Sequence, residues 1–219
     1  MNFNRLMYLF AGAEWDTVQS LTARHEVGHG NAIECESALL LYALVHRYDP
    51  ITVVETGTHF GFSSAAIASA LADRESFQPK GRMIHTMDMH SYDQKPEKLW
   101  DAIGVSHVVK HYIADTLEKP PRQILPPLAG TVDFLWLDAS HAAEDVITEF
   151  QRFAPLLNRE RAIVGFHDTT LDPREAEGIR QILNGPMSPI NEYKFASFVP
   201  IRNMRGIDFL FLSNEELGF

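Results

Sequence analysis

Acidic residues and glycines follow several apolar runs of this sequence, at the points where short strands would end. Glu55 is the last residue but one of the run ITVVET, and Gly57 follows the run. Asp88 ends RMIHTMD, Asp138 ends VDFLWLD and Asp168 ends RAIVGFHD. In an open sheet of parallel strands, ligands bind beyond the carboxyl ends of the strands. Carboxylates there can accept hydrogen bonds from a ligand or hold a metal ion. We therefore expect these residues to line one small-molecule site.

The glycine spacing after the first run limits the kind of ligand. Gly57 and Gly61 form a G-x-x-x-G pattern, which permits a tight turn and a close approach of the backbone to a ligand. The chain has neither the G-x-G-x-x-G pattern that binds a pyrophosphate nor a G-x-x-x-x-G-K-[ST] phosphate loop. Glu55 beside the turn suits a ligand with an ammonium group. Asp88 suits the two hydroxyls of a ribose, and Asp115 an adenine edge.

Alternating strand and helix patterns would position these residues. Apolar, β-branched runs predict strands, and amphipathic or alanine-rich runs predict helices. Strands that are apolar throughout and alternate with helices indicate a parallel sheet covered on both faces. The predicted strands are 51–56, 82–88, 107–113, 132–138 and 161–168, and the predicted helices 63–72, 97–103, 142–157 and 175–183.

The last two apolar runs differ from the others. FASFVPI (195–201) and IDFLFLS (207–213) are separated by a segment too short for a crossover helix, so they predict an antiparallel hairpin at one edge. We predict a doubly wound, Rossmann-like α/β fold with a seven-stranded sheet, mostly parallel with an antiparallel C-terminal strand. Residues 1–48 would form a helical cap and 49–219 the core of a single domain.

Composition excludes several classes of protein. The 219 residues carry a formal net charge of −10, which argues against binding nucleic acid or an anionic membrane. The single cysteine, Cys35, rules out an intramolecular disulfide and a zinc site built from several thiolates. No apolar stretch near the N-terminus approaches the ~20 residues of a membrane span. We expect a cytoplasmic protein, and the apolar N-terminal segment could serve a homodimer.

The strand ends, taken in order over residues 51 to 213, resemble the class I methyltransferases that use S-adenosylmethionine. VVETGTHFGFSSAAIASAL is similar to the motif E-x-G-x-x-x-G-[YF]-S of the cation-dependent O-methyltransferases of the catechol and caffeoyl-CoA type. LDASH and FHD fall where that group has D-x-x-K and an Asp-Asn pair, and DxSH and HDT resemble bacterial methyltransferases that act on sugar or antibiotic hydroxyls. The resemblance implies methyl transfer from S-adenosylmethionine to a hydroxyl of a small molecule.

The resemblance also implies roles for the cofactor-binding residues. Glu55 would contact the methionine part of the cofactor, and the backbone from Gly57 through Thr58 to Gly61 would close over it. Ser63 would cap the following helix near the cofactor carboxylate.

The remaining cofactor contacts follow later strands. Asp88 would bind the ribose, Asp115 and Thr116 would border the adenine, and Asp138 would adjoin the cofactor.

By the same resemblance, Asp138, His167 and Asp168 match the metal-ligand positions, with His167 where the group has an acid. Imidazole binds Mn²⁺, Fe²⁺ or Zn²⁺ more readily than Mg²⁺, so His167 either changes the metal preference or indicates that the divalent cation has been lost. His141 takes the place of the lysine that assists deprotonation. An imidazole with an ordinary pKa near 6.5 can accept a hydroxyl proton at neutral pH, so His141 and Asp138 are the predicted catalytic pair.

Each of these residues has a structural alternative. Gly57 and Gly61 could serve only the turn, Asp88 could close a β-turn, and His141 could be a surface histidine. Asp138 and Asp168 could each cap the helix that follows.

Two other functions remain open at this point. One is a cofactor-binding module without catalysis. The other is a zinc hydrolase, because HEVGH at residues 25–29 matches H-E-x-x-H, although Gly28 and Gly30 weaken the helix that this motif needs. The acceptor cannot be identified from the sequence.

Overall fold

The computed structural model describes residues 33–185, 189–202 and 205–215. The predicted HEVGH motif, and most of the predicted N-terminal cap, lie outside these residues. The helices are α1 (Cys35–Tyr48), α2 (Phe62–Phe77), α3 (Lys95–Ala102), α4 (Ala143–Phe153) and α5 (Pro173–Asn184). The strands are β1 (Thr52–Thr56), β2 (Met83–Asp88), β3 (Val109–Ile113), β4 (Phe134–Leu137), β5 (Arg161–His167), β6 (Phe195–Ile201) and β7 (Ile207–Ser213).

The seven strands form one mixed sheet in the order β3-β2-β1-β4-β5-β7-β6. β1 pairs in parallel with β4, and β4 in parallel with β5, whereas β7 is antiparallel to both β5 and β6. The predicted doubly wound sheet and its C-terminal hairpin are confirmed. The strand order reverses between β1 and β4, which is the position where open α/β sheets bind ligands.

Apolar burial explains why these segments form strands and helices. All four residues of β4 are buried, and Trp136 has no exposed surface, so it is a core residue as predicted. Val146, Phe150 and Phe153 share one face of α4 and join the buried cluster that includes residues of β4 and β5. Burying these side chains against the sheet supplies the main favourable free energy of folding.

Two predicted boundaries were wrong in ways that concern the site. Ser63 does not cap α2, because Gly61 occupies the N-cap position with φ 83° and Ser63 lies inside the first turn. β3 begins at Val109, since the preceding residues form a single 3₁₀ turn, Ser106–Val108. Only glycine adopts the Gly61 conformation without strain, so the turn sets where the helix starts.

The chain forms two compact units. The described part of one unit is 33–51, Thr58–Ile84 and His90–His111. The other consists of Thr52–Gly57, His85–Met89 and the described residues from Tyr112 onward. Most of the predicted site residues belong to this second unit. Across the described ranges, the helices are too short or too polar to cross a membrane.

Candidate active site

The end of β1 places a buried carboxylate beside β2. Glu55 has no exposed surface, and its Oε2 accepts a hydrogen bond from the Thr86 hydroxyl at 2.5 Å. A buried carboxylate is costly unless hydrogen bonds compensate its charge. Thr86 therefore fixes the direction of this carboxyl group at the carboxyl end of the sheet.

Gly57 brings the turn after β1 against the end of β4. Its φ is 84°, and its N–H donates to the Met87 carbonyl at 2.9 Å. A Cβ at this position would lie 2.5 Å from the carbonyl carbon of Asp138, closer still to its oxygen, and 2.9 Å from the Ala139 nitrogen. Two backbone segments approach here at a distance that only glycine permits. The close approach that the structure shows at Gly57 is to the backbone of Asp138, whereas the sequence pattern predicted an approach to a ligand.

Gly61 and its neighbours belong to the other unit. The Trp100 indole N–H donates to the Gly61 carbonyl at 3.1 Å, and a Cβ on Gly61 would lie 3.0 Å from Pro96 and from the indole nitrogen. Thr58 and Ser63 are both buried. Pro96 and Trp100 thus hold the glycine turn, a role that the sequence pattern did not suggest.

The ends of β2 and β3 hold three of the predicted cofactor residues. Asp88 is half-buried, and its carbonyl accepts from the Ala114 N–H at 2.8 Å. The Asp115 carboxylate accepts from the backbone of Leu117 at 2.8 Å and of Glu118 at 3.3 Å. Asp115 therefore stabilises its own turn, and this role explains an aspartate at this position even when no ligand is bound.

The third of these residues, Thr116, binds the carboxyl group of Glu149, which belongs to no sequence motif. The buried Thr116 hydroxyl donates to Glu149 Oε1 at 2.5 Å, and Glu149 on α4 is 1% exposed. Burial raises the pKa of Glu149 to about 7. The spacing of Val146, Glu149, Phe150 and Phe153 places Glu149 on the apolar face of the helix, which was the signal that could have identified it.

Asp138, His167 and Asp168 lie together at the ends of β4 and β5. Nδ1 of His167 is 3.1 Å from Asp138 Oδ1 and 3.3 Å from Asp168 Oδ1. Neither acid caps a helix, since Ala142 is at the N-cap position of α4 and the side chain of Asp172 caps α5. The alternative capping roles for Asp138 and Asp168 are therefore excluded.

His141 completes this cluster from the loop before α4. Its Nε2 is 3.5 Å from Asp168 Oδ2, and its Nδ1 is 2.7 Å from Glu175 Oε2. The His141 side chain is 32% exposed, whereas Glu175 is almost completely buried. The Glu175 carboxylate raises the pKa of His141, and burial raises the pKa of Glu175 to about 7. His141 is therefore a partly exposed imidazole oriented by Glu175, and not an isolated surface histidine.

Close helix packing explains why Glu175 reaches His141. Gly178 lies one turn after Glu175 on α5, and a Cβ there would be 2.9 Å from the Ala143 carbonyl at the start of α4. Glu175 belongs to no sequence motif, although its spacing from Gly178, Ile179 and Ile182 places it on the buried face of α5.

Arg205 is a further site residue that no sequence motif indicated. Its guanidinium binds both carboxylate oxygens of Asp168, with Nε 2.5 Å from Oδ1 and Nη2 on Oδ2. It lies in the short connection between β6 and β7, 37 residues from Asp168. No spacing within a strand or helix relates residues so far apart.

The residues around Asp168 do not fit a divalent cation. Ligand atoms of Asp138, His141 and Asp168 do lie within 4.8 Å of one another, which is close enough for shared coordination. However, a permanently charged guanidinium already binds both Asp168 oxygens. His167 Nδ1 faces two carboxylate oxygens, so it carries a hydrogen and cannot coordinate a metal through that nitrogen.

Comparisons with known proteins agree with this geometry. A family model described as a methyltransferase domain matches residues 54–169. An uncharacterized protein, y4gI of Sinorhizobium fredii, is 28% identical over 131 residues, a match that covers 58% of this chain and only 14% of that protein.

Solved structures share the fold at low sequence identity. The O-methyltransferase TomG of Streptomyces achromogenes, crystallised with SAM, is 19% identical, with a TM-score of 0.67 over 90% of this chain and 88% of that one. The O-methyltransferase of Bacillus cereus, crystallised with SAH, is 16% identical, with a TM-score of 0.64 over 91% and 90% of the two chains. The match over residues 54–169, more than half of the chain, spans β1 to the end of β5 and shows that the protein belongs to the methyltransferase domain family.

Proposed function

We propose that this chain transfers the methyl group of S-adenosylmethionine to a hydroxyl of a small molecule. The observation that carries the proposal is the set of polar groups at the ends of β1, β2, β4 and β5 in one compact unit. Glu55 is the last residue but one of β1, Asp88 ends β2, and Asp138 directly follows β4, with His141 in the loop after it. The structural neighbours crystallised with SAM and SAH, both named O-methyltransferases, support the same cofactor and type of acceptor.

The polar side chains at the strand ends match the successive parts of the cofactor. Glu55, held by Thr86, supplies a fixed negative charge for the ammonium of the methionine part. Asp88 is half-buried at the end of β2, where a carboxylate can accept from both ribose hydroxyls. We assign the turn beside the cofactor to Thr58, Gly61 and Ser63. We assign the border of the adenine to Asp115 and Thr116. When bound, the cofactor supplies an electrophilic methyl group on a sulfonium.

His141 is the proposed general base. Its Nδ1 donates to Glu175, which leaves the lone pair of Nε2 to accept a proton from the acceptor hydroxyl. The acceptor oxygen forms a bond to the methyl carbon as the bond between that carbon and sulfur breaks. The electron pair of the broken bond stays on sulfur, and the proton resides on His141 before it leaves to solvent.

The surrounding acids stabilise the imidazolium that forms. Glu175 lies 2.7 Å from Nδ1, Asp168 3.5 Å from Nε2, and Asp138 adds a negative charge nearby. The three negative groups favour the protonated imidazole, so they lower the free energy of the state that follows proton transfer. Asp138 is therefore proposed to act electrostatically, while His141 takes the proton.

Calorimetric titration with S-adenosylhomocysteine tests the cofactor assignment. We expect saturable binding that Asp88→Asn weakens by about 10- to 100-fold, the range for losing a hydrogen bond to a charged group. Glu118→Gln is the matched control, because it makes the same acid-to-amide change at an exposed residue that follows β3. No binding at high micromolar nucleoside would overturn the proposal. Binding without methylation of any hydroxyl in a broad acceptor panel would favour a non-catalytic cofactor-binding module instead.

A further inference from the structure

The Arg205–Asp168 ion pair lies at one of the positions where the sequence resemblance to the cation-dependent O-methyltransferases predicted a metal ligand. Both oxygens of Asp168 bind the guanidinium, and the pair is shielded from water, with side-chain exposures of 14% for Arg205 and 2% for Asp168. A bidentate arginine is a directional, permanently charged partner for a carboxylate. The charge of Asp168 is thus already paired within the protein.

The backbone holds Arg205 in this position independently of its side chain. The Arg205 carbonyl accepts from the N–H groups of Thr170 at 2.8 Å and Leu171 at 2.9 Å. Next to it, Gly206 has φ 86°, and a Cβ there would lie 2.7 Å from the Thr170 Cβ. Arg205 and Gly206 are therefore held directly against the segment after β5, which keeps the guanidinium on Asp168.

The two strand-end carboxylates of the cluster already have partners among its own side chains. Asp138 faces the hydrogen-bearing Nδ1 of His167, and Asp168 faces Arg205 and the imidazole of His141. A divalent ion on the same carboxylates would have to displace the guanidinium or lie beside it, with like charges in a poorly solvated site.

We propose that Arg205 takes the place of the divalent cation, so that this enzyme methylates its acceptor without a metal. The inference rests on the proposed methyl transfer and deepens it. Arg205 holds Asp168 and, through it, one side of His141. The acceptor hydroxyl then loses its proton to His141 alone, and no metal lowers its pKa. Arg205 is a positioning residue in this scheme.

Titration with Mn²⁺, followed by electron paramagnetic resonance, tests this inference without using activity. We expect no stoichiometric Mn²⁺ binding by the wild-type protein or by Arg205→Lys, which keeps the charge. Arg205→Gln removes the charge and should bind one equivalent, and adding Asp138→Asn should abolish that binding. Arg202→Gln is the matched control, because Arg202 lies on the same connection but pairs with Asp208.

The outcomes separate this inference from the proposed function. One equivalent of Mn²⁺ bound by the wild-type protein would overturn the inference even if Arg205→Gln failed to fold. Failure of a folded Arg205→Gln to gain Mn²⁺ would also overturn it, because Arg205 would not be what excludes the cation. Turnover unchanged by a chelator supports it, and loss of turnover contradicts it. Absence of nucleoside binding would remove the methyltransferase proposal whatever the Mn²⁺ result.

Discussion

Replacing Gly57 by alanine should cost far more stability than its backbone angle alone predicts. A non-glycine residue in the left-handed region, here φ 84°, costs roughly 1–2 kcal/mol. The added Cβ would also lie 2.5 Å from the Asp138 carbonyl carbon, well short of the 3.4 Å at which ordinary contact begins. Overpacking of this kind costs about 1–3 kcal/mol, so the total loss should be about 2–5 kcal/mol.

Two other glycines isolate the contribution of the backbone contact. Gly104 and Gly130 have φ of 71° and 72°, but a Cβ on either meets nothing within 4 Å. Gly104→Ala and Gly130→Ala should therefore lose only the conformational part, roughly 1–2 kcal/mol. The three variants share one chemical change and differ in the space around it.

Urea unfolding, monitored by tryptophan fluorescence, measures the difference. We expect the midpoint to fall most for Gly57→Ala while the slope m stays unchanged across the series, since the surface exposed on unfolding is the same. Nucleoside affinity should fall only in Gly57→Ala, because the strand that must move carries Asp138. Equal losses of stability in the three variants would show that the close approach of Gly57 to Asp138 has no energetic weight, and would refute the reasoning.

Three further predictions concern the buried groups. Because Glu175 raises the pKa of His141, kcat/KM should increase with pH through a midpoint above 6.5. Glu175→Gln should lower this midpoint and kcat, and His141→Ala should lower kcat by about 10²–10⁴-fold. A pH profile unchanged by Glu175→Gln would contradict the pairing of Glu175 with His141. Burial raises the pKa of Glu149 from 4.5 to about 7, so the folded state retains a proton that the unfolded chain loses, and stability should fall as pH rises from 4.5 to about 7 by about 3 kcal/mol. Glu149→Gln should remove this part of the pH dependence in urea titrations at several pH values, and an unchanged dependence would contradict it. Trp100→Phe removes the donor to the Gly61 carbonyl and should lower the free energy of unfolding by about 1–3 kcal/mol, measured by thermal unfolding. An unchanged stability would show that water replaces the indole N–H, and would contradict the prediction.

The elements of the fold could be predicted because their signals are local. Residues 51–56 are rich in β-branched side chains, and residues 134–137 are all apolar. In the structure these two segments contain the adjacent parallel strands β1 and β4. The short connection before residue 207 predicted the antiparallel hairpin for the same reason, since chain length limits how two strands can be joined. The error at Ser63 was also local, because a helix can begin from a glycine in a left-handed turn as readily as from a serine cap.

The sequence by itself determined the order of strands and helices and the polar residue that ends each strand, since both depend on neighbours within a few positions. Only the tertiary structure decided which partners those polar residues have. His141 meets Glu175 across 34 residues, and Asp168 meets Arg205 across 37. These pairs form because α5 packs closely on α4, and because the backbone of Arg205 and Gly206 lies against the residues that follow β5. Packing of this kind sets the charge balance of the site, and no periodic pattern in the chain encodes it.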